Sequence, residues 1–233
     1  MRSTDIAQLS ESAAEPDVIR LAQLLSREAD TESVAGFVQG PGIERLGLSF
    51  DLGELIEAVN VAVDRIGWGG DHAQSGFGSI CVNRRSGVET PTSNDLSGRY
   101  WARVDDRYVE EPFEETVDES AFTELDPRLA DTYIAHVHAE LTERFPIGRM
   151  RLLSKGLYNC NSWHRDPEPR LHIPIVTNPG SIFVVNHHCT HLPADGSVYF
   201  TDTRGYHTAF NGGFTPRIHL VAAVATAPTE ANS

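Results

Sequence analysis

A histidine and an aspartate one residue apart, His164 and Asp166, are followed about forty residues later by His207. Two imidazoles and one carboxylate can cover one face of a divalent ion and leave the opposite positions open, the arrangement of mononuclear non-heme Fe(II) sites. On a β-strand, residues i and i+2 project to the same side, so His164 and Asp166 can grip one ion together. Catalytic zinc keeps three protein ligands and one water in a tetrahedral site, which makes iron the better fit, while the spacing alone leaves the metal open. Ten residues past His207 stands Arg217, within Pro216-Arg217-Ile218-His219-Leu220. Alternation sets Arg217 and His219 on one face and the apolar Ile218 and Leu220 on the other. A guanidinium turned into a barrel needs an anion, because an unpaired buried charge is costly. Either a bound dicarboxylate, gripped bidentately, or a salt bridge with one of the chain's own acids would serve. Arg170-Leu171-His172 repeats the pattern, with Leu171, Ile173 and Ile175 facing one way and Arg170 and His172 the other.

These residues must be held by something, and the punctuation of the chain says what. After Pro146 the sequence breaks into short strand candidates at 149–154, 158–163, 170–177, 181–186, 197–201, 206–211 and 216–226, divided by Asn178-Pro179-Gly180, Pro193-Ala194-Asp195-Gly196 and Asn211-Gly212-Gly213. Many short strands after a helical region predict a mostly β fold with flanking helices, built on a double-stranded β-helix or jelly-roll core. Upstream, Asp51 and Glu54 can form a capping box for a helix whose face is Leu52, Leu55, Ile56, Val59, Val63 and Ile66, ended by Gly67. Phe77–Val82 and Tyr100–Val104 read as strands. Asp126-Pro127 predicts the start of a second helix, running through Tyr133, Ile134, Val137 and Leu141 until Phe145-Pro146 stops it. A further short helix is expected from Pro16-Asp17. The domain reading is a disordered tail at 1–16, helices and strands at 17–145 that buttress the barrel, a jelly-roll core with the metal site at 146–227, and a tail at 228–233, all in one structural domain.

Composition narrows the partners. The chain has 233 residues and a formal net charge of -14, with no Lys/Arg-rich run. That argues against nucleic acid or an anionic membrane surface and leaves a small molecule or a peptide as substrate. Three scattered cysteines do not make a disulfide framework, no secretory signal is visible, and no apolar run could span a bilayer, so a cytoplasmic protein is expected.

The ordered set Asn161-Ser162-Trp163-His164-Arg165-Asp166, Arg170-Leu171-His172-Ile173-Pro174, Gly196-Ser197-Val198-Tyr199, His207-Thr208-Ala209-Phe210-Asn211 and Arg217-Ile218-His219-Leu220 resembles the aspartyl/asparaginyl β-hydroxylase-like group of Fe(II)/2-oxoglutarate-dependent dioxygenases, which includes bacterial free-proline hydroxylases. The resemblance covers about a third of the chain. It implies that His164, Asp166 and His207 hold Fe(II) and that Arg217 binds the tail of the cosubstrate 2-oxoglutarate. It further implies that Arg170 and His172 help hold the cosubstrate and that a serine upstream, Ser154 being the nearest, touches it. O2 is the second cosubstrate. Retention of Asp166 sets the chain apart from family members that lack the carboxylate and favours hydroxylation, since related halogenases vacate that position for chloride. The implied reaction is hydroxylation of an unactivated C–H of an amino acid, free or in a peptide.

Three other readings stay open at this stage: a hydroxylase of a lipid acyl chain or other small molecule, a non-catalytic cupin-like sensor of metal or 2-oxoglutarate, and a zinc hydrolase using the same three ligands. Arg99, Trp101 and Arg103 alternate on one strand and could hold a substrate carboxylate. The acidic segment Asp105–Asp126 reads as a solvated loop, or as a lid that attracts a cation. His187, Cys189 and His191 would share one strand face, but without a second ligand pair they read as a strand edge or turn.

Overall fold

A computed structural model describes residues 42–70, 76–96, 117–185 and 187–225, together with the backbone of 101–103 and 110–112. Several expectations lie outside those residues: both tails, the helix at Pro16-Asp17, Arg99, the side chains of Trp101 and Arg103, and the acidic segment through residue 116 apart from the backbone of 110–112.

In chain order the described strands are β1 (Ile43–Ser49), β2 (Phe77–Cys81), β3 (Asn83–Arg84), β4 (Trp101–Arg103), β5 (Glu110–Pro112), β6 (Glu124–Leu125), β7 (Ile147–Lys155), β8 (Asn159–Cys160), β9 (His164–Arg165), β10 (Arg170–Val176), β11 (Ser181–Val185), β12 (His188–Thr190), β13 (Ser197–Thr201), β14 (His207–Asn211) and β15 (Arg217–Val224). Six form an antiparallel sheet in the order β1-β13-β10-β15-β7-β2. A second sheet runs β12-β11-β14-β9-β4-β5, with β8 also on β14. This is the jelly-roll expected from the turn spacing. Strands from before residue 146 join both sheets: β1 and β2 edge the first, while β4 and β5 extend the second.

The first sheet has two unlike faces, and alternation explains both. Ile80, Met150, Leu152, Leu171, Ile173, Ile175, Leu220 and Ala222 face the helices and form the main core with Leu55, Val59, Ile134, Val137 and Leu141. Arg151, Lys155, Arg170, His172, Arg217 and His219, all buried, take the intervening positions and turn towards the second sheet. A smaller apolar cluster of Ile43, Phe183, Val185, Leu192, Tyr199 and Ala209 fills one end between the sheets.

The helix α1 (Leu52–Ile66) starts as its capping residues dictate, with Asp51 accepting from the Glu54 amide at 2.9 Å and Gly67 closing the end at φ 81°. Its buried stripe is Leu55, Ala58, Val59 and Ala62. Ile56, expected on that face, is 39% exposed. The two alanines, silent in an apolar count, let the helix lie close to the sheet and set which way it turns. Asp126-Pro127 does begin a helical turn, but only a 3-10 turn, Pro127–Leu129, anchored by the fully buried Leu129. Before that turn lies the short α2 (Ser93–Leu96), and after it α3 (Tyr133–Arg144) begins behind Thr132, seven residues later than the expected start at Asp126. Phe145 adopts the extended conformation that a following proline imposes and ends it.

The described end of the acidic segment is structural. Glu119 is 4% exposed and pairs with Arg149 at 2.8 Å, and Asp126 caps the 3-10 turn. Glu119 and Asp126 are therefore held within the fold, whereas Asp118 at the start of this stretch is exposed. At the far side of the barrel, Gly196 sits at φ +79° with its carbonyl accepting from Phe50 N at 2.9 Å; an added Cβ would fall 2.0 Å from the Phe50 carbonyl oxygen. Gly196→Ala should cost at least about 2 kcal/mol, from the left-handed backbone and the clash together. A thermal or urea melt would show it, and an unchanged midpoint would contradict it.

Candidate metal centre

The second sheet brings the predicted ligands together by register. His207 on β14 stands directly across from His164 on β9, and their ring centroids are 4.2 Å apart. Asp166 follows β9 by one residue and is fixed by its own amide donating to the Thr203 carbonyl at 2.8 Å. All three side chains are buried, and one ligand atom from each lies within 4.8 Å of the others. Among the described residues this is the only group of histidine, cysteine and acidic side chains gathered closely enough to hold a metal ion.

Tautomers and partners around the triad suit a metal. His164 Nδ1 lies 2.6 Å from the Ser162 carbonyl and His207 Nδ1 3.1 Å from that of Gly205. A carbonyl can only accept, so it fixes the proton on Nδ1 and leaves Nε2 with its lone pair for an ion. Asp166 is split in the same way: Oδ2 accepts from Arg170 Nε at 3.0 Å, while Oδ1 is buried without a partner. An unsatisfied buried carboxylate oxygen in a cluster with two imidazoles fits a site that takes a cation, and His207 Nε2 already lies 3.6 Å from Asp166 Oδ2. The donor set is that of a facial-triad Fe(II) centre. Burial, with His164 as a further cause, pulls His207 down to about 4 and keeps it neutral, the form a metal requires.

The triad opens into a cavity of about 340 Å³. Four cations line it, Arg151, Lys155, Arg170 and Arg217, against one acid, Asp166. In a chain of formal charge -14, the described lining of this cavity is thus locally rich in positive charge. Arg217 donates through Nη2 to His219 Nδ1 at 2.9 Å, and His219 Nδ1 lies 3.4 Å from His172 Nδ1. Burial drives both imidazoles well below their ordinary value, and the neighbouring Arg217 adds to it. Burial also brings Arg217 down to about 9, which leaves it charged at neutral pH.

Of the residues anticipated for the cosubstrate, Arg217, Arg170, His172 and Ser154 all line this cavity. Arg170 spends its Nε on the ligand Asp166. Ser154 pairs in register with Ile218, so alternation places it on the helix side of the sheet; Lys155 is the residue across from Arg217. Lys155 and Arg151 were missed by the sequence reading, although Arg149, Arg151, Leu153 and Lys155 alternate with Met150 and Leu152. The strand expected at 149–154 extends to Lys155, a residue type seldom buried. On the neighbouring strand the register partner of His164 is Ala102, rather than Trp101 or Arg103. His187, Cys189 and His191 do not converge: His187 takes φ 68° in a turn, Cys189 is exposed, and the buried His191 is 2.9 Å from the Ser181 carbonyl through Nδ1.

Three buried neutral histidines give the metal-free protein a pH signature. An unfolded chain takes up protons near pH 6.5 that His207, His172 and His219 refuse when folded, so stability falls as pH drops from about 6.5 towards 4. His207 alone is worth on the order of 3 kcal/mol across that window. Glu168, raised to about 7 by burial, acts in the opposite sense, but the histidines outnumber it. The apoprotein should melt at a clearly lower temperature at pH 5 than at pH 7, and a flat profile would show that these rings are not buried neutral.

No protein-family model matches the chain, and no curated protein matches it. Solved structures that resemble the fold include a 2OG-Fe(II) oxygenase family oxidoreductase from Burkholderia pseudomallei, 16% identical, covering 85% of this chain and 91% of that one with a TM-score of 0.46. A viral collagen prolyl hydroxylase from Paramecium Bursaria Chlorella virus-1, solved with 2OG, is 9% identical over 81% and 97% of the two chains, also at 0.46. A predicted oxalate decarboxylase from Thermotoga maritima is 17% identical over 40% and 73%, at 0.31. Identities and TM-scores of this order mark distant likeness only. What the site can do follows from its own residues. No described helix is long and apolar enough to cross a membrane.

Proposed function

We propose that this chain is an Fe(II)- and 2-oxoglutarate-dependent dioxygenase that hydroxylates an unactivated C–H bond of an amino acid, free or within a peptide. One observation carries the reading: a two-histidine, one-carboxylate triad opens into the same small cavity as buried cations from the facing sheet. A zinc hydrolase has no need of those cations. A 2-oxo dicarboxylate, which must chelate the metal at one end and be neutralised at the other, needs both halves. Bound iron and cosubstrate supply the oxidising chemistry: O2 converts 2-oxoglutarate to succinate and CO2, and one oxygen atom enters the C–H bond.

The chain's own residues do the rest. Ser162 and Gly205 carbonyls hold the two rings in the tautomer that would ligate a metal, and Arg170 holds the Asp166 carboxylate in place beside them. His219 fixes the Arg217 fork, which then meets a carboxylate without reorganising. Phe183, packed on His207 and His172, closes the wall and excludes water behind the rings. Asn159, Asn161, Ser162 and Thr203 add hydrogen-bonding groups to the lining. A cavity of this size, at the small end of ligand sites, favours a small polar substrate over a nucleotide or an acyl chain.

The test is direct. Protein loaded anaerobically with Fe(II) and 2-oxoglutarate should develop the visible charge-transfer band of the chelate. On admitting O2 with a panel of amino acids and peptides, succinate and a product 16 mass units heavier should appear together. Absence of the band and of succinate above the enzyme-free control would sink the proposal.

A further inference from the structure

Lys155 is the feature of the cavity that the metal site does not account for. It is 1% exposed, stands directly across from Arg217 in the β7–β15 register, and lines the same cavity. Its ammonium donates to the side-chain oxygens of Asn161 and of Asn159, the latter at 3.4 Å, and lies 5.8 Å from the centroid of the Phe77 ring. All three partners are uncharged. Among the described residues neither Lys155 nor Arg217 is ion-paired to an acid. Two like charges thus face each other across adjacent strands, both out of water, in an arrangement that the protein alone leaves unfavourable. Loss of the lysine's proton relieves the pair, and so does an anion between the two groups.

We propose that Lys155 is the second cation of the cosubstrate site: its ammonium and the Arg217 guanidinium close together on the distal carboxylate of 2-oxoglutarate, and the lysine takes up a proton as the dianion binds. This rests on the functional reading above and adds a residue and a proton to it. Among the described residues the groups that bear on the ammonium are Arg217 from β15, Cys160 from β8, the amides of Asn159 and Asn161, and the ring of Phe77 from β2, with no carboxylate. Burial, reinforced by Arg217, brings Lys155 down to about 7, so near neutral pH a fraction of the free protein holds it as an amine. A carboxylate delivered between the two cations reverses that balance and favours the ammonium. The coupling also selects the ligand. A 2-oxo acid of the same length without the distal carboxylate would bind through the metal alone and draw no proton to Lys155.

Calorimetry on the metal-loaded, oxygen-free protein tests this without turnover. 2-Oxoglutarate and 2-oxopentanoate are titrated into the wild type and Lys155→Met at pH 7.5, in two buffers of different ionisation enthalpy. The wild type should take up a fraction of a proton with 2-oxoglutarate and none with 2-oxopentanoate. The variant should bind 2-oxoglutarate roughly 10- to 100-fold more weakly, lose the uptake, and bind 2-oxopentanoate as before. Metal-free Lys155→Met should melt no lower than the wild type, since it removes one of two opposed charges; Lys155→Gln, which keeps a hydrogen-bond donor for the asparagines, serves as a second neutral variant. Equal affinity and equal proton uptake in wild type and variants would overturn the inference and leave the iron reading standing. A wild type that binds no 2-oxoglutarate would overturn both.

Discussion

His164→Ala should eliminate metal-dependent turnover and leave the fold intact. The ring touches the Ser162 carbonyl, the facing His207 ring and the cavity; it is absent from both apolar clusters. Its loss leaves one imidazole and one carboxylate, too few donors for a catalytic ion that must also keep positions open for cosubstrate and O2. Bound metal, measured after dialysis, should fall from one per chain to a small fraction. Succinate formation should drop to background. Meanwhile the apoprotein should melt at or above the wild-type temperature, because His164 is one of the causes that hold His207 below its ordinary value. A variant that keeps its iron and its turnover would show that the triad is not the metal site. One that unfolds would show His164 to be part of the core.

That the triad could be read from sequence at all reflects two short-range rules. Residues i and i+2 share a strand face, and a glycine turn at Gly205 announces the strand that brings His207 in. The family resemblance implies the ligand set, but the long-range fact that β14 and β9 pair so that His207 meets His164 has no local signal and is seen only in the structure. The longer strands after residue 147 are legible because both faces have a job: Leu171, Ile173 and Leu220 are driven to the helices, while Arg170, His172 and Arg217 take the intervening positions. The two-residue β9 and the short β12 carry no such alternation, and the expected strand at 158–163 is only Asn159–Cys160. What escaped notice did so for physical reasons. Strand β1 has one buried, two half-buried and four exposed residues, so its pattern is a weak apolar signal. The late start of α3 depends on Leu129 reaching the core, a tertiary demand that overrides a good Asp-Pro cap. The alanine stripe of α1 depends on distance to the sheet. Lys155 has no sequence signal because a buried lysine contradicts the ordinary preference of its side chain; such contradictions cluster at functional sites.

Arg217→Leu should raise the apparent KM for 2-oxoglutarate by roughly 10- to 100-fold or more, the range expected when a charge-assisted bond worth about 1.5–3 kcal/mol is removed. The loss should appear in KM more than in kcat, because the distal carboxylate is held alike before and during the reaction, and uniform binding of that kind affects affinity rather than the chemical step. Arg217→Lys should fall in between: it keeps the charge but gives up the fork, whose Nη2 is already placed by His219. The alternative is that Arg217 serves the fold. Its position speaks against that, since among the described residues no acid pairs with it, and its partner His219 is a neutral ring whose Nε2 is itself buried without a hydrogen bond. Removing a buried cation that has no counter-ion relieves desolvation, so metal-free Arg217→Leu should be no less stable than the wild type. An unchanged KM together with a lower melting temperature would assign the arginine to the scaffold, and the four-cation cavity would then need another anion to explain it.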